Sequence, residues 1–521
     1  LVRSRGLGDV YKRQVVDLHR RRARTARVYL RAMASPGLSY RIRLPRPAEH
    51  LVHVTVTIPT DELAGPIELA LPAWSPGSYR IRDYARFVRD LRAVGDDGHA
   101  RAVTKLDKAT WSIEPAGAAA VTVDYAVFGH DLSVRTNHVD DSHALIHGPA
   151  TFLYAPAMRA RAVAVEVHGP PGRAWALATP LAGGAAAPAD VYHLTAASID
   201  ELLDGPIHLG HTETRRFVVG ATPFELAVWG DHHAGPYTLD QLAIDLGAIA
   251  ADHAARFSGD PGQFPFARYA FVLMLSADGY GGLEHAAGSV NLYHPAALTS
   301  RKHYEGLLEL LSHELFHAWN GKRIAPPALA RFDYQREAYT RCLWVMEGIT
   351  SHYDRFALRS AGRITAKSFL EKVLDDWARL LATPGRARAS LEDSSFDAWI
   401  KLYQPDESNL NTTVSYYLKG GLVALALDLE IRRRTEDARG LDDCLRLLWQ
   451  RHGAGDAGHP EDVLPLFAEA TGLDLGATFA RCVRGTDDPP LVAELAALGL
   501  VVRQLDATAA LATGPAPPAV G

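Results

Sequence analysis

Near residue 238 the hydrophobic period of the chain changes, and this change narrows the folds open to it more than any other feature. Upstream, VHVTVTIP (52–59), VTVDYAVFG (121–129) and AVAVEVHGP (162–170) alternate apolar and polar residues, with turn formers such as Pro-Gly and Asp-Asp-Gly between segments. Period two puts one face of a strand against a core and the other in water. Residues 33–215 are therefore expected to form a β-rich, antiparallel, sandwich-like N-terminal domain. Downstream, YTLDQLAIDLGAIAADHAARF has its apolar residues at helical spacing, and RYAFVLMLS (268–276) has the unbroken apolar character of a buried strand. Beyond residue 303, LLELLSHELFHAWN, EAYTRCLWVMEGITSHYDRFALRSA and TVSYYLKGGLVALALDLEIRRR carry the 3.6-residue stripe of packed helices. The 521 residues exceed what one hydrophobic core accommodates. A multidomain α+β protein is expected, with further divisions at 216–365 and 366–500.

Composition excludes several classes. An apolar fraction of 47% with 22% charged residues is that of a globular chain. A formal charge of −5 gives no electrostatic reason to expect a nucleic-acid partner. No apolar run approaches the ~20 residues that span a bilayer, so no membrane partner is expected. Cys342, Cys444 and Cys482 are odd in number and widely spaced, with no CxxC pair, and are read as small buried side chains. Residues 1–32, arginine-rich between Arg20 and Arg31, differ in character from the rest of the chain. Two readings stand: a non-native or disordered leader ahead of a start at Met33, or a transit peptide. With no apolar export segment, the expected location is the cytoplasm. The oligomeric state has no signature in the sequence.

The chemistry lies in His313-Glu314-Leu315-Phe316-His317, an HExxH run on a predicted helix. Histidines four apart differ by ~40° around a helix axis, so both imidazoles can reach one metal ion. Glu314 stands ~100° further round, where a general base can take a proton from water beside the metal. On the order of 0.05 such matches are expected by chance in a chain of this composition. The stripe Leu307, Leu308, Leu310 and Leu311 supplies the core face that a buried active-site helix requires. A third ligand is available in Glu347, which sits among Leu343, Trp344, Val345 and Met346 on another predicted helix. Burying that carboxylate without a partner would be costly, and a metal is such a partner. His313, His317 and Glu347 form a His2Glu set, for which Zn2+ is the expected ion.

These residues resemble the glycyl aminopeptidase-type gluzincins, a zinc peptidase family whose members often carry a PDZ domain. HELFHAWNGKRIAP resembles the family's zinc helix, EAYTRCLWVMEGITSHYD its third-ligand helix, and LPAWSPGSYRIRDYARFVRDL (71–91) the hallmark of its β-rich N-terminal domain. The resemblance runs from about Met33 to Leu500. It implies a thermolysin-like HExxH catalytic domain at 216–365 and a helical domain at 366–500 that completes the active site. The implied activity is removal of small N-terminal residues, Gly or Ala, from peptides. Residues 501–521 read as a linker, leaving no room for a PDZ domain, so this member either lacks one or is truncated.

Two further roles come from the resemblance. Gly281-Gly282-Leu283-Glu284 matches a glycine-rich edge strand that binds peptide backbone by β-addition. Its Glu284 would hold the substrate α-ammonium, the alternative being a turn with an exposed carboxylate. Tyr417 begins a YxKG run whose tyrosine donates to the oxyanion, with adjacent Tyr416 as the competing assignment. Asp354 is either a partner of a ligating histidine or a surface carboxylate. His138, His143 and His147 have metal-like spacing but fall in a predicted loop of the β domain, and no second metal is expected there. Against aminopeptidase action stand an endopeptidase, which would cut free and N-blocked peptides alike, and a binding scaffold on an inactive peptidase fold. The complete set of ligand and base residues argues against the scaffold.

Overall fold

The computed structural model describes residues 37–503 except 62, 64, 186–189 and 454–456. The expected leader and nearly all of the 501–521 tail lie outside the described residues.

The first half of the chain is built on an eight-stranded sheet. Its order is Ala182–Ala185, Val191–Ala196, Val163–His168, Ser39–Arg43, Leu51–Pro59, Ala120–Phe128, Val88–Gly95 and Ala100–Arg101. Alternation works as the sequence indicates: along Leu51–Pro59 the side chains of Val52, Val54, Val56 and Ile58 are buried and those between them are half-exposed. The buried face packs with residues from a three-stranded sheet (Ile67, Leu69, Trp111 and Ile113) and a four-stranded sheet (Val139, Ile146, Ile207 and Leu209) into one core. The expectation of a purely antiparallel domain needs one correction: Ser39–Arg43 runs parallel to Val163–His168. Local alternation carries no information on direction, and the long intervening chain frees this pair from hairpin geometry.

A second, five-stranded sheet has the order Thr212–Val219, Thr222–Trp229, Tyr269–Leu275, Gly288–Tyr293 and Gly281–His285. Thr222–Trp229 and Tyr269–Leu275 are parallel, joined through the Leu239–Ser258 helix, as a crossover connection requires. Thr238 caps that helix by accepting from the Gln241 N–H, and Gly259 ends it at φ 77°. Every residue of Tyr269–Leu275 is buried. Gly281–His285, antiparallel to Gly288–Tyr293, is the edge strand.

Helices cover this sheet and fill the C-terminal half. The Arg301–Phe316 helix ends one residue before His317, which is its C-cap. The helix expected over 337–361 starts only at Trp344, because the Thr340 hydroxyl takes the Cys342 N–H at 3.0 Å and holds this stretch out of helical geometry. It opens with a π turn, Trp344–Gly348, which carries Glu347 and continues into Ile349–Ser360. The Leu418–Arg434 helix lies against this turn. An added Cβ on Gly348 would sit 2.7 Å from the Gly420 Cα, so the two backbones touch where each has a glycine. The three cysteines are buried and unpaired. No helix of the described residues is long and apolar enough to cross a membrane.

Candidate metal centre

His317 Nε2 lies 3.1 Å and His313 Nε2 3.5 Å from the same Glu347 oxygen, Oε2. The outward nitrogens define the tautomers. His317 Nδ1 is 2.7 Å from the carbonyl oxygen of Asn320, which can only accept, so Nδ1 carries the proton. His313 Nδ1 is 2.9 Å from Asp354 Oδ2. Both Nε2 lone pairs then converge on a carboxylate, an arrangement that repels itself unless a cation stands among the three donors. Two imidazoles and a carboxylate are the donor chemistry of Zn2+, and the set fits it. The surroundings also favour positive charge. Burial works against protonation of both histidines, but Asp354 and Glu347 raise His313, and Glu347 raises His317, above the usual range. Burial likewise opposes ionisation of Glu347, yet His317 and His313 hold it down to about 2.

Asn320 ties together the two segments that carry the candidate donors. Its side-chain nitrogen donates to the carbonyls of Val345 and Met346 at 2.9 and 3.0 Å, in the turn that holds Glu347. One residue thus orients His317 through its backbone and Glu347 through its side chain. Sequence reasoning passed over it, although a residue that must both end a helix and satisfy buried carbonyls is a natural place for asparagine. Asp354, for which the sequence allowed partner and surface roles, is buried against His313.

Glu314 is 5% exposed, and burial pushes its carboxyl up to about 7. It faces the edge strand: a Cβ on Gly282 would overlap its carboxylate. Gly281, at φ 153°, adopts a backbone conformation that favours glycine. Glu284, near the end of the strand, is buried at 5% exposure, and an added Cβ on Gly77 would lie 2.5 Å from both of its carboxylate oxygens. Gly77 comes from the Trp74–Tyr79 loop of the β domain, so this loop closes over the strand. Tyr417 lines the same cleft. Its ring stacks on His313 with centroids 6.2 Å apart, and its hydroxyl is 3.3 Å from that of Tyr403, which donates to the Gly77 carbonyl at 3.3 Å. Tyr416 instead packs fully buried in the core. Beyond Glu284 a cavity of about 310 Å³ continues past Tyr79, Met346 and Asp204.

The other histidine cluster is not in a loop. His138 and His143 lie on short paired strands, Asp140 between them. Asp140 accepts from the Ser142 and His143 N–H groups at 2.8 and 3.0 Å and lies 3.2 Å from His138 Nε2, so hydrogen bonding within a tight turn accounts for the spacing. His147 is separate: it is buried, with its N–H bonded to Asn137.

Comparison with known proteins identifies the family. Residues 39–211 match the Peptidase M61 N-terminal domain and residues 306–423 match the M61 glycyl aminopeptidase family. A solved aminopeptidase N family protein from Idiomarina loihiensis is 30% identical with a TM-score of 0.84, over 89% of this chain and 79% of that one. An M1 zinc metallopeptidase from Deinococcus radiodurans is 16% identical with a TM-score of 0.54, over 87% and 94% of the two chains, and shares the fold. Yeast LTA4 hydrolase is 10% identical at a TM-score of 0.51, over 85% of this chain and 66% of that one. No curated protein sequence shows significant similarity. The chain belongs to the M61 glycyl aminopeptidase family and is a metallopeptidase.

Proposed function

We propose that the protein is a zinc aminopeptidase of the gluzincin type, with a thermolysin-like catalytic domain, that removes small N-terminal residues from peptides. The observation that carries this reading is the placement of Glu284 and the three metal donors on one cleft, an anchor for a cationic N-terminus beside a site for hydrolysis. His313, His317 and Glu347 would hold the zinc. Bound there, zinc supplies Lewis acidity, making water easier to deprotonate and a carbonyl easier to attack.

The rest is the work of the chain. A peptide adds to the free edge of Gly281–His285, its backbone held by Gly281 and Gly282. Glu284 fixes the α-ammonium by a charge-assisted hydrogen bond. Glu314, next to Gly282, accepts a proton from the attacking water and returns it to the leaving amine. The Tyr417 hydroxyl donates to the oxygen on which negative charge develops. The cavity beyond Glu284 is larger than a glycine or alanine side chain needs, so the preference for small residues comes from family membership and not from volume.

The test is hydrolysis of a panel of free and N-acetylated peptides by zinc-loaded wild type and Glu314→Gln, read by mass spectrometry. Stepwise loss of N-terminal residues from free peptides alone, absent in the variant, supports the proposal. Equal cleavage of acetylated peptides would make the protein an endopeptidase, and no cleavage would leave a scaffold.

A further inference from the structure

The cleft that holds the metal donors is strongly acidic. Glu284, Glu309, Glu314, Glu347 and Asp354 all line it, and among the described residues the only arginine or lysine on its wall is Arg135. Arg135 comes from a turn of the β domain that is well fixed: its N–H donates to Ser133 Oγ at 3.1 Å and its carbonyl accepts from the Tyr84 hydroxyl at 2.9 Å. Its guanidinium reaches the edge strand. Nη2 donates to the Gly282 carbonyl at 3.2 Å, and Nη1 lies 3.3 Å from where a Gly281 Cβ would stand. Among the described residues no carboxylate pairs with it, and its buried Nε has no hydrogen-bond partner. By contrast, Glu309 on the same wall is paired with Arg355 at 3.1 Å and Lys372 at 2.9 Å. A half-buried guanidinium with donors to spare and no counter-charge is a site for an anion.

The strand supplies a ruler. Glu284 and Gly282 are two residues apart, ~7 Å along the strand, and Gly281 is ~10 Å from Glu284. An extended dipeptide measures ~7 Å from amine to carboxylate and a tripeptide ~10 Å. We infer that Arg135 binds the C-terminal carboxylate of a short peptide whose N-terminus is held at Glu284, so the cleft is selective for di- and tripeptides. The inference rests on Glu284 being the amine anchor. Glu314 abuts Gly282, so the base stands on the stretch of strand bracketed by Glu284 at one end and by Gly281, beside the Arg135 guanidinium, at the other. A longer chain would carry its carboxylate past Arg135 and gain nothing from it.

The experiment compares alanyl-alanine, trialanine and hexa-alanine with their C-terminal amides on the zinc-loaded protein. Amidation is expected to lower kcat/KM by ~10- to 100-fold for the two short peptides and to leave the hexapeptide unchanged. Arg135→Ala should erase the difference between acid and amide, and Arg135→Lys should restore part of it. Because Arg135 also holds the Gly282 carbonyl, the acid-to-amide ratio within each variant is the readout, not its absolute rate. Equal rates for acid and amide in the wild type would overturn the inference. So would a ratio that survives Arg135→Ala. Calorimetric binding of alanyl-alanine and its amide to the Glu314→Gln protein reads the anchor without catalysis. Preference for the acid that is lost with Arg135→Ala upholds it even if no peptide is cut, whereas equal binding sinks it independently of the proposed activity.

Discussion

Gly282 abuts the carboxylate of Glu314 so closely that a single added carbon would occupy the carboxylate's place. The contact joins the free edge of a sheet to the helix that carries His313 and ends at His317, and it holds the proposed base against the strand where a peptide would lie. Gly282→Ala must displace Glu314, since the edge strand is tied to Gly288–Tyr293 and has little room to retreat. Loss of a positioned base lowers rates by ~10²- to 10⁴-fold. The expected outcome is a fall in kcat of about 100-fold or more with one zinc per chain retained, read by steady-state kinetics and metal analysis. A variant with normal kcat would remove Glu314 from its role.

Asp354 is expected to act on zinc affinity. It accepts from His313 Nδ1 and so keeps Nε2 free for the metal. Asp354→Ala should weaken zinc binding by ~10- to 100-fold, measured by competition with a chelator, while Asp354→Asn, which can still accept the hydrogen bond, should lose less. Equal affinity in all three proteins would reduce Asp354 to a structural residue.

Acid lability should follow from the buried histidines. Desolvation pushes His208 and His253 down to about 3 and His352 to about 4, each from an ordinary 6.5. The folded values lie below the unfolded one, so as pH falls below 6.5 the unfolded chain takes up protons that the native state refuses. Stability is therefore full above 6.5 and declines as pH drops toward 4, by up to about 1.4 kcal/mol per pH unit for each histidine. In chelated protein, which excludes metal release, His313 and His317 are raised above their usual range and oppose this decline, but they are two against three, so the thermal midpoint should still be lower at pH 5.5 than at 7.5. His208, whose ring nitrogens have no partner, gives a control: His208→Phe should lessen the decline. A midpoint independent of pH would contradict the argument.

What could be read from the sequence was local. His313 lies in the last turn of one helix and His317, four residues on, caps its end, and Glu347 is marked by an apolar setting that a bare carboxylate would not tolerate. Contacts between distant segments left no such trace. Gly77 and Arg135 enter the cleft from the β domain, and the parallel partner of Ser39–Arg43 lies far along the chain, so neither periodicity nor spacing reports them. Asn320 was hidden for another reason: its partners, the Val345 and Met346 carbonyls, are backbone atoms and have no residue signature.

Tyr416 and Tyr417 illustrate the boundary between the two and yield a final prediction. Adjacent tyrosines are indistinguishable by motif, but the helix begins at Leu418, and this places Tyr417 at its N-terminal cap facing His313 while Tyr416 turns into the core. The close approach of Gly348 and Gly420 sets the distance between the Glu347 turn and that helix end, which explains the glycine of the YxKG run. Tyr417→Phe removes a hydroxyl from the cleft and should lower kcat by ~10²- to 10³-fold with little change in stability. Tyr416→Phe removes a buried hydroxyl that has no hydrogen-bond partner and should leave kcat within about twofold and stability unchanged or slightly raised. Paired kinetics and thermal melts on both variants decide between them. If Tyr416→Phe were the catalytically damaged one, the oxyanion role assigned from the cleft geometry would pass to the wrong side of the helix end and would have to be abandoned.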